Sequence, residues 1–198
     1  MIYPKPFQEL IAHFAKLPSI GPRLAERLVM HLFKQGISDR NSFGEAIMAL
    51  NTLQTCTRCH NIAQEQECVI CKDKNRNTKV ICVVEDALDI IPIERTKIYN
   101  GLYHVLGGVM ETRPKNQNTL TINALLNRVK NESPKEIILA TNLTTEGDIT
   151  ALYLQQKISQ YPNTTTTRLG RGMPTGSDIE YADETTLSAA LMNRGNMK

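Results

Sequence analysis

No run of about eighteen apolar residues occurs in the 198-residue sequence, so no transmembrane helix is expected. The opening Met1-Ile-Tyr-Pro-Lys-Pro6 lacks the apolar core of a signal peptide, and a cytoplasmic location is expected. The Gly- and Pro-rich segment 170–178 has no Gly-Lys-Ser/Thr after it, which excludes a phosphate-binding loop of that type and leaves a crossing segment. Net charge is small, at +3, but unevenly placed: +4 over residues 1–80 and −1 over residues 81–198. That asymmetry points to phosphate contacts early in the chain and acidic chemistry later. Cysteines number only five, and in a chain expected to be intracellular they favour metal over disulfides.

Four of the five are paired. Cys56-Thr-Arg-Cys59 is followed by eight residues and then Cys68-Val-Ile-Cys71. Four thiolates at this spacing can close a tetrahedron around Zn²⁺ and leave no coordination position open. His60 follows Cys59 directly, but four cysteines already fill the site. The fifth, Cys82, lies inside the apolar run Val80–Val84 and reads as a core thiol.

Ahead of the cysteines the pattern is helical. Phe7, Leu10, Ile11, Phe14 and Leu17 form one stripe, and Leu24, Leu28, Leu32 and Phe33 give a second helix its apolar side. Leu17-Pro-Ser-Ile-Gly21 joins them as a tight hairpin, with Gly21 supplying positive φ and Pro22 opening the second helix. The free N–H groups at this helix start suit a phosphate. Lys16, Arg23 and Arg27 flank them, a set that grips a nucleic-acid backbone without reading bases. An ordinary helical hairpin with solvated arginines fits the same residues. A third helix is expected to start at Ser42-Phe-Gly-Glu45 as a capping box, with Ile47, Leu50 and Leu53 buried.

After Cys71 the character changes to strands alternating with helices, which implies a parallel sheet. Strands are expected at Val80–Val84, Tyr103–Leu106, Glu136–Ala140 and Thr164–Leu169, the last Thr-rich and at an edge. Helices are expected over 86–94 with Leu88 and Ile91 inward, and over 119–130. A third is marked by Ile149, Leu152, Tyr153 and Gln156, and a terminal one runs through Leu187 and Leu191. Functional groups belong at the carboxyl ends of such strands, which picks out Glu85, Glu146 and Asp148. Three carboxylates there suit Mg²⁺; equally, Glu146 and Asp148 suit the first turn of a helix.

Several segments occur in a distinctive order. They are Leu17–Arg27, the paired cysteines, Val83-Val-Glu85, Tyr103–Gly108, Ile138–Asn142, Glu146-Gly-Asp148 with Ala151-Leu-Tyr153, and Leu187-Ser188. Together they resemble the RecR family of bacterial recombination mediators over essentially the whole length. The resemblance implies an α+β multidomain chain. Its parts would be a helix-hairpin-helix DNA-binding region (1–55), a four-cysteine zinc finger (56–71), an α/β Toprim domain with a parallel sheet (79–174) and a C-terminal helical oligomerisation segment (175–198). It implies a homo-oligomer, dimer to tetramer, closing a ring on duplex or gapped DNA. It implies a non-enzymatic role with RecO and RecF in loading RecA onto DNA coated with single-strand-binding protein. Cys56, Cys59, Cys68 and Cys71 would hold structural zinc; Lys16, Gly21, Arg23 and Arg27 would meet DNA. Glu85, Glu146 and Asp148 would face RecO, or hold Mg²⁺. The family's usual sequences are replaced at Met110–Gln117, at Asn142-Leu-Thr144 and at Pro174-Thr-Gly-Ser177.

Two other functions fit parts of the sequence. One is a Toprim enzyme performing metal-dependent phosphoryl transfer on DNA, although the acids read Glu-x-Asp where such catalysts carry Asp-x-Asp. The other is a zinc-stabilised interaction module that never touches DNA.

Overall fold

The computed structural model describes residues 2–110 and 120–195. The substituted loop Met110–Gln117 lies outside them beyond Met110. The chain divides into two compact units, residues 1–53 and 54–198. No helix among the described residues is long and apolar enough to cross a membrane.

The first unit is helical: α1 (Lys5–Phe14), α2 (Pro22–Lys34) and α3 (Ile37–Ala49). Helices α1 and α2 form the hairpin, and Phe7 meets Phe33 edge-on with ring centroids 6.1 Å apart. The left-handed residue of the turn is Ser19, at φ 64°, not Gly21. Gly21 is instead the extended N-cap of α2, at φ −80°, and Pro22 takes the first helical position where its missing N–H costs nothing. The expected apolar side of α2 is corrected too: Ala25 and Val29 are buried, while Leu24 and Phe33 stay exposed. Helix α3 begins five residues before the expected Ser42, because Gly36 is extended and caps it. Ile47, Leu50 and Leu53, expected inside, are exposed.

The second unit opens with a two-stranded antiparallel ribbon, β1 (Gln54–Thr55) and β2 (Ile62–Ala63), and a helical turn, α4 (Val69–Lys72). A four-stranded parallel sheet follows: β3 (Asn77–Val84), β4 (Gly101–Val105), β5 (Glu136–Ala140) and β6 (Thr165–Arg168), in the order β4-β3-β5-β6. The connecting helices are α5 (Ile90–Arg95), α6 (Ile122–Glu132) and α7 (Thr145–Ile158), and α8 (Glu184–Met192) closes the chain. Alternation along β3 sends Ile81 and Val83 to one face, packed with α6 and α7. Cys82 and Val84 go to the other, with Ile90 of α5. Burial pushes the Cys82 thiol up to about 12, as suits an inert core group.

Two helix faces differ from expectation. In α5, Ile90 is buried while Ile91 is exposed, as is Leu88 in the 3-10 turn Ala87–Asp89 just before it. In α7 the buried face is Thr150, Ala151, Leu154 and Ile158, and Leu152 is 64% exposed. Tyr103 is fully buried, and its hydroxyl donates to Glu94 Oε1 at 2.6 Å, so it is a core residue and not a nucleophile.

Candidate functional site

The cysteine knuckle is built by the short ribbon and α4. The N–H of Cys56 donates to the Asn61 carbonyl at 2.7 Å, and His60 takes φ 62°, which turns the chain back within one knuckle. Cys56, Cys59, Cys68 and Cys71 are all buried, and their sulfurs lie within 4.8 Å of one another. Cys59 and Cys68 sulfurs are 3.5 Å apart, far from disulfide contact. Sulfurs about 2.3 Å from a tetrahedral zinc sit about 3.8 Å apart, so this donor set fits the ion. The Cys68 N–H also donates to Cys56 Sγ at 3.3 Å, an orientation that favours a thiolate. Without metal, hydrogen bonding to Cys68, then to Cys71, and burial push the Cys59 thiol up. Hydrogen bonds from Cys59, then from Cys71, pull Cys68 down. The sulfurs therefore share protons that a metal would displace.

The knuckle is docked on the edge of the parallel sheet. Strand β4 would otherwise expose a free edge, but its Val105 N–H donates to the Cys59 carbonyl at 2.8 Å. Beside it Arg58 donates to both oxygens of Glu132, at 3.0 and 3.1 Å. Arg128 binds the same carboxylate at 3.1 Å and donates to the Tyr103 carbonyl at 2.7 Å. Burial alone would raise the Glu132 carboxyl; the Arg58 hydrogen bonds and the Arg128 charge outweigh it and hold it below the usual range.

His104 sits behind this triad with no solvent exposure. The Thr121 hydroxyl donates to the Val105 carbonyl at 2.7 Å, so it accepts from His104 Nε2 at 3.0 Å, which places the ring proton on Nε2. Burial, then the charge of Arg128 and the nearby His60, push His104 down to about 3. Its unfolded value is near 6.5, so the unfolded chain takes up the proton first as pH falls. Stability from this group is complete above about pH 6.5 and drains away toward pH 3, about 3 kcal/mol of it by pH 4. In zinc-saturated protein, urea titrations from about pH 7.5 to 5.5, with bound zinc verified at each pH, should show a shallower loss for His104→Gln than for the wild type. Parallel pH profiles would refute the assignment.

The three acids stand at the carboxyl ends of β3 and β5, as the sequence led one to expect. Glu85 Oε1 accepts from the Asn142 N–H at 2.7 Å and Oε2 from the Asn142 side-chain amide at 2.6 Å. Glu146 and Asp148 lie in the first turn of α7, capped by Thr144. Gly147 between them is required, since a Cβ there would stand 2.2 Å from the Asn142 carbonyl oxygen. Asp148 Oδ1 is met by Arg168 and Arg171, each at 2.5 Å. Among the described residues only the four cysteines bring three or more ligand atoms together; the acids do not. Sequence reasoning missed Asn142, Arg168 and Arg171 as partners of the acids, and Glu132 and Arg128 as partners of the knuckle. The one available signal was Arg168 at the end of a strand.

In the helical unit Lys16, Gly21, Arg23 and Arg27 are all exposed. Gly21 caps α2 with no side-chain acceptor, leaving first-turn N–H groups available beside Arg23. His31 and Lys34, also exposed, stand four and seven residues beyond Arg27 and continue its face.

Three family models match the chain: the RecR helix-hairpin-helix over residues 7–50, the Toprim domain over 79–169 and the RecR C-terminal region over 172–194. Similar relatives are the recombination proteins RecR of Prochlorococcus marinus, Herpetosiphon aurantiacus and Rubrobacter xylanophilus. The first is 42% identical over 98% of this chain and 97% of its own length. The second is 44% identical over 99% and 97%, the third 42% over 97% of each.

Proposed function

From the premise that the chain belongs to the RecR family of recombination proteins, and so serves recombinational repair, we propose that it is a non-enzymatic DNA-binding mediator. Its copies close a ring on duplex or gapped DNA in the nucleoid. With RecO and RecF it loads RecA onto strands coated by single-strand-binding protein. The functional segments are those set out from the sequence: hairpin region 1–55, finger 56–71, Toprim 79–174 and terminal segment 175–198. Zinc is the resident metal, held by Cys56, Cys59, Cys68 and Cys71, and its chemistry is a closed structural crosslink. The hairpin set Lys16, Gly21, Arg23 and Arg27 takes phosphates. Glu85, Glu146 and Asp148 form the partner-facing end of the sheet.

The observation that carries the non-catalytic reading is the engagement of two of the three acids, Glu85 and Asp148, by their own chain. Glu85 is spent on Asn142, and Asp148 on two guanidinium groups. A phosphoryl-transfer site needs its carboxylates turned toward reacting oxygens and metal. The exposed apolar surface of the helical unit supports assembly: a groove of about 610 Å³ lined by Pro6, Leu10, Phe33, Phe43 and Ile47 among others is left uncovered.

The Toprim match favours one other reading, a metal-dependent enzyme acting on DNA. Nuclease and ligation assays with Mg²⁺ or Mn²⁺ separate the two. No turnover above a protein-free control is expected. Robust turnover that Glu85→Ala abolishes would establish the enzyme instead.

A further inference from the structure

A Toprim domain implies Mg²⁺ at its acids, and the residues present do not fit it. Mg²⁺ takes six oxygens in near-octahedral geometry, several of them water, and is held through one or two carboxylates whose oxygens are free to face it. Here both oxygens of Glu85 accept from Asn142, and Asp148 Oδ1 accepts from two guanidinium groups. We infer that Arg168 and Arg171 take the place of the divalent cation at Asp148, so that the acidic end of this sheet excludes Mg²⁺.

The charge arithmetic supports the substitution, since two guanidinium groups bring the same charge as one Mg²⁺ to one carboxylate. The fold positions both guanidinium groups. Arg168 is the last residue of β6, paired in register with Leu139 of β5, so the sheet itself delivers its side chain to Asp148. Its Nη2 also lies 3.3 Å from the Thr141 hydroxyl and from the Asn142 carbonyl. The side chain is only 23% exposed, so water screens it little. Arg171 comes from the crossing segment that follows, and its carbonyl accepts from the Asn193 side-chain amide at 2.9 Å. The pair therefore also ties that segment, and through Asn193 the end of α8, to the first turn of α7. A divalent ion approaching Asp148 would have to expel two held cations and would meet their repulsion on the way.

The inference rests on the non-catalytic reading of the acids but fails separately from it, because its test is binding and not turnover. Zinc-loaded protein is titrated with Mn²⁺ and followed by electron paramagnetic resonance, with Mg²⁺ competing. The wild type should bind no Mn²⁺ tighter than about 1 mM, and its thermal midpoint should be equal in Mg²⁺ and in chelator at matched ionic strength. Arg168→Gln with Arg171→Gln should bind about one Mn²⁺ per chain, and adding Asp148→Asn should abolish that binding. One wild-type Mn²⁺ site per chain, lost in Asp148→Asn, would overturn the inference even if no DNA turnover were found. A folded double variant that gains no Mn²⁺ would overturn it as well. If the double variant does not fold, the more exposed Arg171→Gln alone should weaken the exclusion and admit Mn²⁺; unchanged exclusion there would count as failure.

Discussion

Stripping the metal from the four-cysteine knuckle is expected to lower the thermal midpoint by about 10 °C or more. The ribbon that carries the first cysteine pair has only two residues per strand, too little to be stable alone. The knuckle's core is largely its own four sulfurs with Ala63 and Ile70, so the crosslink stands where a hydrophobic core would be. Structural zinc contributes about 10–16 kcal/mol in isolated finger peptides; here a part is offset by the surrounding fold, leaving on the order of 5 kcal/mol. At about 2–4 °C per kcal/mol for a chain of this size, the shift is about 10–20 °C. The loss spreads beyond the knuckle. If Cys59 and Arg58 leave, the Val105 N–H loses its acceptor, and Glu132 and Arg128 are left half-paired at a partly buried site. Metal release can be followed with a chromophoric chelator and the transition by circular dichroism; Cys59→Ser should act in the same direction. A midpoint unmoved after verified zinc removal would contradict this account of the knuckle.

Replacing Arg23 and Arg27 together by alanine should weaken DNA binding at least about tenfold on every sequence tested. It should also flatten the salt dependence. Each phosphate contact releases condensed counterions and contributes about 0.9 to the slope of log affinity against log salt, so two lost contacts remove about 1.8 per engaged subunit. The effect multiplies in a ring, where low affinity per subunit is compounded by simultaneous engagement. Both side chains are exposed, so the double variant should fold as the wild type does. Fluorescence anisotropy on two unrelated duplexes over a salt series checks it. Unchanged affinity and slope would remove the hairpin from the DNA interface and favour a zinc-stabilised module that never touches DNA.

What could be read from the sequence depended on how local the cause was. The knuckle was legible outright, because ligand spacing of two residues is a local constraint that survives any tertiary arrangement. The strands of the sheet were legible because β3 is buried on both faces and so reads as an unbroken apolar run. Helix faces were not. Helix α7 carries Ile149, Leu152 and Tyr153 on one side and Ala151, Leu154 and Ile158 on another, and only the sheet beneath decides which is covered. The start of α3 was misplaced because Gly36 caps it by backbone conformation, with no side-chain signal, while Ser42 offered a capping box inside the helix. The acids were found by the rule that strands carry function at their carboxyl ends. Their partners were not: Asn142 lies 57 residues from Glu85, and Arg168 and Arg171 lie 20 and 23 residues past Asp148. Only the strand order β3-β5-β6 brings those groups together.

The paired cysteines hold one edge of the parallel sheet, through the Val105 N–H on the Cys59 carbonyl. The central claim is an oligomer that closes on DNA without catalysis. Its most direct test is the mass of the zinc-loaded protein by light scattering, with and without a short duplex. The account predicts a dimer or tetramer that binds the duplex as one assembly. A monomer under both conditions would contradict it.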